Sequence, residues 1–202
     1  MWLKYRISNT KYEIRNTKSG FTLLEVIVTL FIITLLTSLF LTNYRAGSRN
    51  TDLTFAMQKL VSDIRTAQNN SLGSVFYNAT TTLGGWGVHF DIAAGNNTAY
   101  FIFADQNNNK VYDNGEAVET AGGQTITLPA NIVIDRLIDS SGAGDSHFRL
   151  DITFLPPDPV TRIYWDGNSS SSKATIGLRE TVQEQTKSLI VNKLGLIEIN
   201  NP

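Results

Sequence analysis

The chain has 202 residues, 17 basic and 18 acidic side chains, and no cysteine, so it forms neither a disulfide nor a thiolate metal site. Residues 1–20 hold five of the basic residues and one of the acidic ones, which leaves the remainder at a net charge of −5. That balance excludes the electrostatic footprint of a nucleic-acid binder or of a protein that coats anionic lipid.

The first twenty residues are polar, carry Lys4, Arg6, Lys11, Arg15 and Lys18, and end at Gly20. An apolar run follows at once, and from Val26 to Tyr44 it contains no charge. About 20 apolar residues in helical form cross a bilayer. The apolar run lies after the small residue instead of before it, the reverse of a secretory signal peptide. Five basic residues ahead of the run, against Arg45 and Arg49 beyond it, place the leader in the cytoplasm and the rest outside. Glu25 is the only charge from Phe21 to Tyr44. A lone carboxylate in a membrane span is costly and is a functional candidate by default; the alternative is a signal anchor that tolerates it.

The stretch Gly20-Phe21-Thr22-Leu23-Leu24-Glu25 resembles the cleavage and methylation signal of type IV pilins and type II secretion pseudopilins. The resemblance implies that a prepilin peptidase cuts between Gly20 and Phe21 and that Phe21 becomes N-methylated. It also implies that Glu25, fifth in the processed chain, takes part in filament assembly with other pilins or pseudopilins. Elementary electrostatics agrees with those roles. Residues four apart share a helix face, so Glu25 lies beneath the new Phe21 amine and can also meet a neighbour's. The helix dipole favours a carboxylate there, and a paired charge is tolerated in low dielectric where a bare one is not.

Beyond the span, Leu53, Met57, Leu60, Ile64 and Ala67 recur at three- and four-residue spacing, which predicts an amphipathic continuation of the helix. Gly47 is expected to loosen or kink it, and Asn69-Asn70-Ser71-Leu72-Gly73 to stop it. Short runs rich in β-branched and aromatic residues then predict strands at 75–77, 86–92, 98–103, 124–128, 132–138, 147–155, 162–165, 174–178, 188–191 and 196–199. Ser169–Ser172 reads as a loop tip. The expected organisation is a leader (1–20), a membrane or filament-core helix (21–44), its amphipathic continuation (45–72) and a β-rich head (73–202). The fold class is α+β, a long N-terminal helix packed on a mostly antiparallel β-sheet or sandwich head. Leu60 to Gln68, Ile152-Thr153-Phe154, Thr175-Ile176-Gly177-Leu178, Leu189-Ile190-Val191 and Gly195 to Ile199 resemble the corresponding segments of H-type minor pseudopilins.

Signals for enzyme chemistry are weak. His89 and His147 sit in strand patterns without motif partners and read as half-exposed surface residues. Gly84-Gly85-Trp86-Gly87 precedes a strand and reads as a flexible turn, since a phosphate cradle needs a helix start. Trp86, Phe90, Tyr100, Phe101 and Phe103 could form a sugar platform, but their alternation favours core packing.

One loop carries a chemical pattern. Asp105, Asn107, Asn109, Asp113 and Glu116 place oxygen side chains at loop positions one, three, five, nine and twelve, and Val111 offers its carbonyl at seven. This resembles an EF-hand calcium loop. Lys110 stands where the sharp turn wants Gly, and the flanking elements are strands. A solvated Asn-rich hairpin loop is the competing reading. The sequence as a whole reads as a structural subunit of a secretion pseudopilus or pilus-like filament. Its rivals are a minor pilin for adhesion, DNA uptake or motility, and a membrane-anchored enzyme or binding protein that never polymerises.

Overall fold

The fold is taken from a computed structural model that describes residues 20–78, 82, 84–119, 125–140, 147–156, 160–167 and 169–200, with the side chains of 42–46, 48, 94 and 169 excepted. The basic leader, residues 1–19, lies outside the described residues. The chain divides into two compact units, Met1–Asn43 and Tyr44–Pro202. Helical hydrogen bonding runs from Leu23 to Leu72 as α1, so the helix contributes to both units.

In the first unit α1 begins on a capped turn. The Glu25 N–H donates to Thr22 Oγ1 (3.2 Å) and the Val26 N–H to the Thr22 carbonyl (3.2 Å), which makes Thr22 the N-cap. Leu23–Leu41 is 19 residues long and none of it is buried. At ~1.5 Å per residue it extends about 28 Å, close to the hydrocarbon thickness of a bilayer. Its threonine hydroxyls are kept from needing water. The hydroxyls of Thr29, Thr34 and Thr37 donate back to the carbonyls of Val26, Leu30 and Ile33.

In the second unit the helix passes through Gly47 without interruption, and the Thr51 hydroxyl donates to the Gly47 carbonyl at 3.0 Å. Gly47 therefore does not break the helical hydrogen bonding, and the space beside it is open. Leu53, Ala56, Met57, Leu60, Val61, Ile64 and Ala67 are buried, as the spacing predicts. The helix ends at Leu72 in a Schellman turn. Val75 N–H donates to the Asn70 carbonyl (2.9 Å) and Ser74 N–H to the Ser71 carbonyl (3.0 Å). The residue in the left-handed region is Ser74, at φ +47°, one place after the glycine that the sequence suggests. Ser74→Gly should therefore raise the stability of this unit by about 0.5–1 kcal/mol, read as a higher melting temperature.

The strands are β1 (Gly85–Asp91), β2 (Ala99–Asp105), β3 (Ile126–Thr127), β4 (Ile132–Ile138), β5 (Arg149–Leu155), β6 (Val160–Trp165), β7 (Ser169–Ser170), β8 (Lys173–Glu180), β9 (Thr186–Asn192) and β10 (Ile197–Asn200). They form two antiparallel sheets, ordered β3-β2-β1-β5-β6-β7 and β10-β9-β8-β4. Two expectations are corrected. Residues 75–77 form no continuous strand: Val75 closes the Schellman turn, its carbonyl is taken by Trp86 Nε1 at 3.0 Å, and only Tyr77 makes an isolated bridge. Ser169-Ser170, read as loop, pairs with Trp165 and Tyr164.

Both sheets and α1 share one apolar core, which includes Val88, Phe90, Tyr100, Ile152, Phe154, Trp165, Ile176, Leu178 and Leu189. Polar clasps fix the helix on it. Tyr100 O–H donates to Asp63 Oδ2 at 2.6 Å, Ser71 Oγ to the Phe154 carbonyl, and Gln68 Nε2 to the Gly195 carbonyl at 3.5 Å. Burial, with the Asp63 carboxylate as acceptor, pushes the Tyr100 hydroxyl far above the ordinary phenol range, so it stays a donor at any physiological pH.

The Gly84–Gly87 segment is not a flexible turn. Gly85 and Gly87 belong to β1, and Gly84 lies against the Asp105 carboxylate, where a Cβ would come within 1.8 Å of Asp105 Oδ2. A Cβ at Gly87 would meet the Phe103 ring at 2.6 Å. These glycines let the 105–116 segment fold back over the sheet.

Candidate functional site

The residues for which the sequence suggests processing and assembly lie in an open, exposed segment. Gly20 precedes the helix with no atom near its Cα side, and Phe21 is 81% exposed. Thr22 caps the helix, and Glu25 occupies the first turn, exposed, with its own N–H on the Thr22 hydroxyl. A Thr followed three residues later by Glu is the sequence signature of a capping box, and it could have been read before the structure. The Gly20–Phe21 peptide thus lies just outside a helix whose start is fixed by Thr22.

Residues 15–41 match the prokaryotic N-terminal methylation motif. The chain carries a prepilin-type N-terminus. The match supports a type IV pilin-like protein processed by a prepilin peptidase, and the apolar helix that follows is consistent with a membrane anchor. No curated protein and no solved structure matches the chain.

Beyond the prepilin-type N-terminus, the 105–116 loop is a closed, heavily bonded structure. Asp105 is fully buried at the end of β2. Its Oδ1 accepts the N–H groups of Asn108 (2.6 Å) and Asn109 (3.2 Å), and its Oδ2 that of Lys110 (2.8 Å). Glu116 Oε1 accepts from Gln106 N–H (2.9 Å) and Oε2 from Asp113 N–H (3.0 Å). Asn107 and Asn109 each donate an amide N–H to Asp113 Oδ2, at 2.6 and 2.7 Å. Lys110 takes the left-handed backbone that glycine would prefer, at φ +70°, and points its ammonium at Asn108 Oδ1 (2.6 Å). Burial lifts the Glu116 carboxyl above its usual range. The two N–H donors pull it down again, while Asp105 and Asp113 push it up.

The loop is not a projecting hairpin. It lies on the face of the sheet away from the core, with Tyr112 edge-on to the buried Phe103 (5.8 Å). Thr153 Oγ1 donates to the Lys110 carbonyl (2.9 Å) and Tyr112 N–H to Asp151 Oδ1 (3.2 Å). Among the described residues no group of three His, Cys, Asp or Glu side chains is placed to hold a metal unaided. Any cation here would also draw on the amide and carbonyl oxygens of Asn107, Asn109 and Val111.

Both histidines have partners that their strand patterns conceal. His89 is only 6% exposed, and its Nδ1 lies 2.7 Å from Asp151 Oδ1. His147 is half-buried, stacks on Trp165 at 4.6 Å and bonds Asp166 Oδ2 through Nδ1 at 2.8 Å. With the N–H groups of Arg149 and Phe148, His147 holds the Asp166 carboxyl below its usual range against the opposing effect of burial. Of the five aromatic residues weighed as a sugar platform, Trp86, Phe90, Tyr100 and Phe103 are buried. Phe101 is half-exposed on the sheet's outer face.

Proposed function

We propose that this chain is a structural subunit, a minor pseudopilin of the H type, in a type II secretion pseudopilus or a related type IV pilus-like filament. One observation carries the reading: the N-terminal methylation motif coincides with an apolar span that begins at a capped helix start and holds a single charged side chain, Glu25. In this reading the leader is cytoplasmic and the head lies outside the inner membrane. Prepilin peptidase cuts after Gly20, and the apolar helices of neighbouring subunits bundle as the filament core. The work is mechanical, and no enzymatic step is assigned.

The processing step is tested directly. In membranes with active prepilin peptidase, mass spectrometry should find the mature chain starting at N-methylated Phe21. Gly20→Leu should leave the leader attached. An intact Met1 terminus in the wild-type chain would sink the reading. Co-purification with sheared filaments separates a polymerising subunit from a monomeric anchor.

We further propose that the 105–116 loop takes calcium weakly, through Asp105, Asn107, Asn109, the Val111 carbonyl, Asp113 and Glu116. The buried Asp105 and Glu116 carboxylates and the left-handed Lys110 backbone favour this over a simple turn. A folded-state carboxyl raised above its unfolded value stabilises the fold below the unfolded pKa and loses that contribution as the pH climbs through the folded one. Ionised Glu116 is thus a liability at neutral pH that a cation would relieve. In chelator, the melting temperature should fall as pH rises from about 4.5, the ordinary carboxyl value, to 7, by a component that Glu116→Gln removes. Calcium at about 10⁻⁴–10⁻³ M should cancel that component in the wild type only. A melting temperature indifferent to calcium would leave the segment a hydrogen-bonded turn.

A further inference from the structure

We propose that the groove on the outer face of the β3-β2-β1-β5-β6-β7 sheet binds a neutral, hydroxyl-rich ring ligand, a glycan. The groove has a volume of about 580 Å³, within the roughly 300–1,000 Å³ of small-molecule sites. Strand register builds its floor. His89 lies opposite Phe101 on β2 and Asp151 on β5, and Asp91 lies opposite Arg149. The folded-back loop supplies one wall, with Tyr112 and Asn114.

Three features select the ligand. The first is the His89 ring, oriented by Asp151 through Nδ1, while Asp151 Oδ1 is itself tied to the Tyr112 N–H. Its Nε2 is left without a hydrogen-bond partner among the described residues, and it is not sealed from solvent. An orienting carboxylate on one nitrogen and a free second nitrogen at a groove wall present one fixed hydrogen-bonding atom to whatever enters.

The second is the Arg149–Asp91 pair, Nε to Oδ2 at 3.1 Å, at the other end of the same wall. It offers donors and acceptors side by side, and adjacent sugar hydroxyls, each both donor and acceptor, complement that array. This pair cancels its own charge, so it offers an anionic ligand no unpaired cation. The third is aromatic. Tyr112 stacks on Phe101, 6° apart with centroids at 5.6 Å, and packs on His89 at 4.7 Å; all three line the groove, and the stack gives an aromatic wall for the C–H face of a ring. An extended peptide is a poorer fit. The groove lies on a sheet face whose backbone groups are already spent in the ladders, so no strand can be added there. The proposal does not depend on the filament reading.

The test is saturation-transfer NMR on the full chain in a sugar-free detergent, with millimolar cellobiose, maltose, lactose and chitobiose as neutral probes. Glucuronate and glucosamine serve as charged controls. At least one neutral disaccharide should receive saturation on its ring protons, with an affinity near about 1 mM. Arg149→Gln, on an exposed side chain, should weaken binding about tenfold without moving the melting temperature, and Phe101→Ala should weaken it at least as much. Transfer to none of the four disaccharides overturns the proposal. So does binding unchanged in both variants, or a preference for glucuronate or glucosamine.

Discussion

Replacing Gly85 with alanine should unfold most of the β-rich unit. Gly85 has φ +88°, a left-handed region that costs an L-residue about 1–2 kcal/mol. Its new Cβ would also sit 1.9 Å from the Phe154 carbonyl oxygen and 3.1 Å from Ser71 Oγ. The oxygen cannot retreat. Trp86, the next residue, is in register with Phe154, and the Ser71 hydroxyl that ties α1 to the sheet donates to that same carbonyl. Overpacking adds about 1–3 kcal/mol, so the total of ~2–5 kcal/mol takes a large share of the roughly 5–15 kcal/mol that holds a domain together. Circular dichroism should show a much lower melting midpoint, or no cooperative transition. A variant that melts within a few degrees of the wild type would mean that β1 can shift past β5.

The second large effect is expected at Glu25. An unpaired carboxylate within a hydrocarbon-facing bundle costs several kcal/mol, so in a filament it should meet an amine, and the processed Phe21 terminus of a neighbour is the available one. Glu25→Ala should insert in the membrane normally yet be depleted at least about tenfold from sheared filaments, the equivalent of ~1.4 kcal/mol per subunit. Because Glu25 also stands three residues after the Thr22 cap, where a capping box would place its Glu, the charge must be separated from the cap. Glu25→Gln can still serve the cap and should fail like alanine. Thr22→Ala removes the hydroxyl that accepts the Glu25 N–H and should cost only about 0.5–2 kcal/mol of local helix stability. If Glu25→Gln assembles at wild-type levels, charge pairing is not what the carboxylate provides.

Features written in local periodicity were legible. The apolar stripe from Leu53 to Ala67 is buried as its spacing implies, and most strands fall within a few residues of their β-branched runs. Non-local pairing was not. His89 finds Asp151 across the β1–β5 register, 62 residues away in sequence, and no pattern around either residue announces it. The same holds for Gly84 and Gly87, whose lack of a side chain matters only because Asp105 and Phe103 arrive from β2. The loop's ligand-like spacing could be read, but its folding onto Phe103, Asp151 and Thr153 could not. The left-handed turn after α1 fell on Ser74 and not Gly73, a local choice that the hydrogen-bond ring decides.

The borders of the two sheets bear on how such a chain behaves at high local concentration. Strand borders with free backbone groups invite other chains to pair with them. Among the described residues β3 and β7 have two residues each and β10 has four, too little for a foreign strand to grip. The remaining border, β4, is seven residues long, but its register breaks between Ile134 and Arg136, and Asp135 and Arg136 place charges beside the irregularity. Many copies crowded side by side would therefore find little purchase for amyloid-like stacking. Contacts between such copies would fall to side chains, which can be specific, more than to backbone ladders.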